Sequence, residues 1–193
     1  YATALTRLDR AIEMEWNYLE AYQVRSLVYL KLERYQEALE DIRKYLGMEE
    51  DETGYYYLAH VYEKLQMYDE AEKAYRRSIE MNRQIPETHF ALAGLLFKRE
   101  KYSQANEAVT EMLRWDPGNL EGMLLQSRIH AAARNFPKAI EVLSLASIEY
   151  PDEPRIYLAR GNHYALMHQE AFSIIDYTKV IALDPHLAEA YYL

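Results

Sequence analysis

The chain has 193 residues, half of them apolar and 27% charged, a composition that can build a packed core. Thirty-one acidic side chains against twenty-two basic ones give a net charge of −9, the wrong balance for a protein that must neutralise nucleic-acid phosphates. With no cysteine, disulfides, thiolate metal sites and cysteine nucleophiles are excluded, and the longest apolar run, Phe90 to Phe97, is far below the roughly twenty residues that span a bilayer.

Six glycines and six prolines are too few breakers for many short strands, and nineteen tyrosines point to long helices with aromatic packing. Residues 1–18 read as the second half of a helical pair, with Tyr1 and Ala4 in an aromatic-x-x-small motif. The motif returns in 19–51 as Tyr35…Ala38, in 52–85 as Tyr68…Ala71, in 86–119 as Tyr102…Ala105 and in 120–153 as Phe136…Ala139. In 154–187 it degrades to Glu170…Ser173, and 188–193 open a further copy. Pro117, Pro151 and Pro185 are each 34 residues apart and set the ruler.

Inside each unit the apolar residues recur at three and four, so the expectation is helix, tight turn, helix. In 52–85 one stripe is Tyr55, Leu58, Ala59 and Tyr62, and a second is Tyr68, Ala71, Tyr75 and Ile79. The eighth position is always small (Ser26, Ala59, Ala93, Ser127, Gly161), as needed where two helix axes approach closely. Both ends fall inside a repeat, which points to a segment of a longer chain and leaves the compartment unreadable.

These residues resemble the tetratricopeptide repeat (TPR) family across essentially the whole chain, with Arg160-Gly-Asn-His-Tyr164 and Tyr177-Thr-Lys-Val-Ile-Ala-Leu-Asp-Pro185 close to the family pattern. The resemblance implies an all-α solenoid, a single array forming a right-handed superhelix, in which the first helix of each unit lines a concave face. The sequence departs from the family in its turns, where Glu33, Gln66, Glu100, Arg134 and His168 replace glycine. If those turns need a left-handed residue, each is strained.

The concave positions implied by the resemblance place Tyr56, Tyr57, His60, Phe90, Phe97, Lys98, Arg128 and Asn162 on a groove for a peptide or partner domain. Tyr56, Phe90 and Phe97 are the candidate anchors, since aromatic rings give large contact area at low rotamer cost. The same rings could instead pack against a neighbouring helix. Lys31 and Lys64, with Lys98, form a ladder at the thirteenth position that could grip an acidic peptide, although the helix dipole alone also favours lysine there. Arg128 lies mid-helix and its planar fork suits a carboxylate.

The pattern of the family's chaperone-tail clamp is absent: the fifth and ninth positions are Gln23/Leu27, Tyr56/His60, Phe90/Gly94, Leu124/Arg128 and Leu158/Asn162. The six histidines show no zinc-protease spacing and no phosphate-cradling glycine loop exists, so no metal, cofactor or catalytic residue is expected. The run Glu49 to Glu52 reads as a solvated junction before a helix. The functional expectation is a protein-interaction scaffold, with self-association or packing against other domains as the alternative.

Overall fold

The structure is a computed structural model that describes residues 1–186. The expected copy opening at 188–193 lies outside the described residues. Among the described residues there are eleven α-helices and no strands. In chain order these are α1 (Ala2–Met14), α2 (Leu19–Lys31), α3 (Tyr35–Met48), α4 (Glu52–Lys64), α5 (Tyr68–Met81), α6 (Pro86–Lys98), α7 (Tyr102–Trp115), α8 (Leu120–Ala132), α9 (Phe136–Glu149), α10 (Pro154–Leu166) and α11 (Glu170–Leu183). The even-numbered helices are all 13 residues long, and the odd-numbered ones from α3 onward are all 14.

The chain forms two compact units, Tyr1–Leu95 and Leu96–Leu193. In the first, α2 packs on α3, α4 on α5, and α3 on α4, with α1 against α2. In the second, α8 packs on α9 and α10 on α11, with α7 against α8 and α9 against α10. Each unit is thus a stack of helical hairpins of the helical repeat solenoid class.

The five hairpin turns share one geometry. Glu33, Gln66, Glu100, Arg134 and His168 all adopt a left-handed backbone with φ between 56° and 60°. In the first, the N–H of Glu33 donates to the carbonyl of Leu30 and that of Arg34 to Tyr29; in the second, Gln66 donates to Glu63 and Met67 to Tyr62. The remaining three repeat the pattern, for example Arg134 to Ala131 and Asn135 to His130. This is the Schellman stop, which satisfies the last helical carbonyls. Each side chain there bears the left-handed penalty that glycine would escape.

Helix entry is handled by capping. Asp51 Oδ1 accepts from the Gly54 N–H at 2.7 Å and Asn119 Oδ1 from the Gly122 N–H at 2.9 Å, while Pro154 occupies the first turn of α10. The small eighth-position residues are buried throughout, and Ala38, Ala71, Ala105 and Ala139 of the second helices are fully so. At Gly161 the reason is direct: an added Cβ would lie 2.7 Å from the Tyr177 ring.

Two hairpins are tied by a buried ion pair at the same repeat positions. Arg25 on α2 donates to Asp41 on α3 (2.6 and 2.8 Å) and reaches back to Asp9 on α1 (2.6 Å). Arg160 on α10 donates to Asp176 on α11 (2.8 and 2.7 Å) and reaches back to Ser144 and Ser147 on α9. At the same repeat positions the chain carries Leu58/Ala74 in the first unit and Gln126/Val142 in the second, so the slot takes a full ion pair, an apolar match or a mixed pair.

That equivalence makes a prediction. Because Asp176 is only 3% exposed and Arg160 16%, Arg160→Leu alone strands a buried carboxylate and should cost about 3–5 kcal/mol in urea unfolding. The double change Arg160→Leu/Asp176→Ala, which copies the Leu58/Ala74 pair, should recover most of that loss; a double variant as unstable as the single one would refute the equivalence. In the turns, Glu33→Gly should raise stability by about 0.5–1 kcal/mol, the relief of left-handed strain less the extra freedom of the unfolded glycine. An unchanged or lower melting temperature would show that the strain relieved does not exceed the freedom glycine adds to the unfolded chain.

Candidate functional site

Five of the residues singled out from the sequence come together in the first unit. A cavity of about 500 Å³ between α2 and α4 is lined by Leu27, Leu30, Tyr35, Tyr56, Tyr57 and His60, with Lys31, Lys64 and Glu33 beside them. Helical spacing explains the arrangement, since Tyr56, His60 and Lys64 are four residues apart on α4 and Leu27 and Lys31 are four apart on α2. The cavity is large enough for a bulky side chain of a partner.

The cavity wall is an aromatic cluster. His60 stands edge-on to Tyr56 (ring centroids 4.5 Å) and to Tyr75 (5.6 Å), and Tyr56 is edge-on to Tyr57 (5.4 Å). Tyr75, on α5, is fully buried and its hydroxyl donates to Glu63 Oε2 at 2.6 Å. Burial first, then the Glu63 carboxylate, hold the Tyr75 phenol far above its ordinary range. Burial also raises Tyr56, and it lowers His60 below the usual imidazole value, against the opposing pull of Glu63. The wall therefore presents neutral rings at neutral pH.

A second cavity of about 310 Å³ lies between α4 and α6 and shares Tyr56 and Tyr57 with the first. Its other lining residues are Glu52, Thr53, Ile85, Glu87 and Thr88. Phe90, half-buried on α6, is not among the residues lining either cavity.

The remaining candidates belong to the second unit. The Arg128 guanidinium lies 5.2 Å from the centroid of the Phe97 ring, and Phe97 is also 6.0 Å from Tyr102. Arg128 is exposed and engaged with an aromatic face, a cation–π contact. Lys98 sits at the exposed end of α6. Asn162 is committed within the fold: its Oδ1 accepts from the Tyr177 hydroxyl at 2.8 Å. His163 likewise faces inward, with Nε2 3.3 Å from Ser127 Oγ and its ring 6.0 Å from Phe136.

Sequence reasoning assigned Tyr75 to a helix stripe and missed that its buried ring backs the cavity wall, packed against Tyr56 and His60. The signal was there: Tyr75 and Tyr177 occupy a position filled elsewhere by Ile42, Val109 and Leu143, and both hydroxyls find a polar acceptor on the preceding helix. Of the second cavity's lining, Ile85 and Thr88 carried no such mark, because they sit at a repeat junction.

Three tetratricopeptide repeat profiles match the sequence at residues 19–52, 53–84 and 96–162. The chain belongs to the tetratricopeptide repeat family. Solved TPR structures share its fold. One is YrrB, described as a TPR protein with an unusual peptide-binding site, at 18% identity and TM-score 0.78, covering 96% of each chain. MamA of Desulfovibrio magneticus RS-1 aligns at 17% identity and TM-score 0.79, over 88% of this chain and 96% of its own. PilF of Pseudomonas aeruginosa aligns at 15% identity and TM-score 0.73, over 89% and 79%. No curated protein matches the sequence. TPR repeats support a protein–protein interaction scaffold, a class of module that binds protein or peptide partners. No helix among the described residues is long and apolar enough to cross a membrane.

The histidines supply a pH test. His60, His130 and His163 are all held below the ordinary imidazole value, chiefly by burial. The unfolded chain then binds protons more readily than the folded one, so their contribution is full above about pH 6.5 and is lost as pH falls toward the folded-state values. The urea midpoint should drop between pH 7.5 and 5.5, and His60→Gln should shrink that drop. An identical drop in the variant would show that His60 is not desolvated.

Proposed function

We propose that this TPR scaffold binds an extended segment of a partner protein through the aromatic cavity between α2 and α4, without catalysis of its own. The observation that carries this reading is a cavity of about 500 Å³ with six apolar or aromatic side chains converging on it and its charged groups, Lys31, Glu33 and Lys64, on exposed positions. An interface gains most from a few desolvated aromatic anchors ringed by polar groups, and Tyr56, with its neighbours Tyr57 and His60, has that setting. The peptide-binding site reported for the TPR protein YrrB gives the reading a precedent at the level of fold. Phe97 and Arg128 form a second contact candidate on the other unit, where a carboxylate could draw the guanidinium from the ring.

A pull-down comparing the wild type with Tyr56→Ala/Phe90→Ala tests the groove. Tyr56→Ala should account for the loss of captured partners, with Phe90→Ala alone contributing less because Phe90 lines neither cavity. Recovery of the same proteins by wild type and both variants, with unchanged circular dichroism, would rule the groove out.

A second reading, self-association, draws on different residues. Leu145 and Ile148 on α9 and Phe172 and Ile175 on α11 are exposed, 55–79%. At the position of Ile175 the other repeats carry Glu40, Lys73, Glu107 and Glu141, and at that of Leu145 they carry Lys44, Arg77, Glu111 and Lys179. Light scattering over a concentration series separates the two: a mass that stays monomeric eliminates self-association, and one that rises but reverts in Ile148→Glu/Ile175→Glu supports it.

A further inference from the structure

The two cavities that meet at Tyr56 and Tyr57 differ in charge. The larger one, between α2 and α4, holds Lys31 and Lys64 against a single acid, Glu33. The smaller one, between α4 and α6, holds Glu52 and Glu87 and no cation. Among the described residues none of these two lysines and two glutamates forms an ion pair, whereas neighbouring charges do: Arg34 pairs with Glu37 at 2.9 Å and Arg77 with Glu80 at 3.3 Å. The contrast extends to the other unit, where Glu121, at the position of Glu87 one repeat on, is neutralised by Arg155 at 2.8 Å.

The helix dipole favours glutamate in a first turn and lysine in a last turn, and this accounts for part of the pattern. It does not account for their gathering around two cavities that share an aromatic wall, nor for the last residues of α8 and α10, which are Ala132 and Leu166. Resting on the reading that the first unit's groove is a docking surface, we propose that its occupant is a bipolar peptide segment. One acidic side chain sits by Lys31 and Lys64, one basic side chain by Glu52 and Glu87, and an apolar side chain between them packs on Tyr56 and Tyr57.

The fold fixes the spacing of those charges. Glu52 and Lys64 are the first and last residues of α4. A rise of 1.5 Å per residue separates them by about 18 Å along the helix. An extended chain advances about 3.4 Å per residue, so the two charges of the partner stand about five or six residues apart. Exposed ion pairs are individually weak, so the charges act mainly as selectors of sequence while the tyrosines supply contact area.

The test uses end-blocked, fluorescein-labelled octapeptides on a serine background, each with a central leucine, read by anisotropy against the whole chain. A peptide with one aspartate and one lysine five residues apart should bind about tenfold more tightly than one with two aspartates, one with two lysines, or one with the opposite charges only two residues apart. Lys31→Glu/Lys64→Glu should lose that preference and turn to the two-lysine peptide. Glu52→Gln/Glu87→Gln, chosen because reversal in a first turn could weaken the helices, should level the bipolar and two-aspartate peptides. Equal binding of all four peptides, or no binding of the bipolar one, overturns the proposal. If Tyr56→Ala then still abolishes binding of an all-serine peptide with the central leucine, the groove reading survives without the charge rule; if it does not, both fall.

Discussion

Everything in this molecule follows from how closely two helices can approach within a hairpin. Ser26, Ala59, Ala93, Ser127 and Gly161 on the first helices and Ala38, Ala71, Ala105, Ala139 and Ser173 on the second are all buried, and none is larger than serine. A methyl group added at Gly161 would already collide with Tyr177. Close approach excludes water from a narrow seam and pushes the larger side chains to its flanks, where they stack on the next hairpin or remain on the surface. The aromatic cavity of the first unit is a product of that displacement: Tyr56, Tyr57 and His60 cannot enter the seam held by Ala59 and Ala71, so they stand beside it.

Around the seam the chain tolerates very different chemistry. A buried arginine–aspartate pair and a leucine–alanine pair fill the same repeat position, which is reasonable if each is internally complete. The ion pair brings directional hydrogen bonds that join three helices, since Arg160 touches α9 as well as α11. The apolar pair brings only shape. Neither is interchangeable one residue at a time, because a lone buried carboxylate has no solvent to compensate it.

The helices were legible in the sequence because the small residues, the aromatic-x-x-small motif and the prolines all repeat at one period, and a repeated signal averages out local ambiguity. The turns were legible as positions but not as conformations: Glu33, Gln66, Glu100, Arg134 and His168 all proved left-handed, so the strain that the sequence made conditional is present at each. The site was legible only in part. Helical spacing brings Tyr56, His60 and Lys64 to one face, but whether a face holds a cavity depends on the side chains of the facing helix, and those are not encoded by spacing. Asn162 illustrates the limit: its concave position said nothing of the Tyr177 hydroxyl that occupies its oxygen.

Glycine in the five turns would have made them easier to form, yet glycine has nothing to present. Glu33 lies at the mouth of the larger cavity as the residue that reverses the chain between α2 and α3. A left-handed residue is held by its backbone hydrogen bonds whatever its side chain, so this site can change from acid to base or amide with little effect on the hairpin beneath it. The strained turn is thus an evolvable position, one where the chemistry lining the cavity can drift while the architecture that supports it stays fixed.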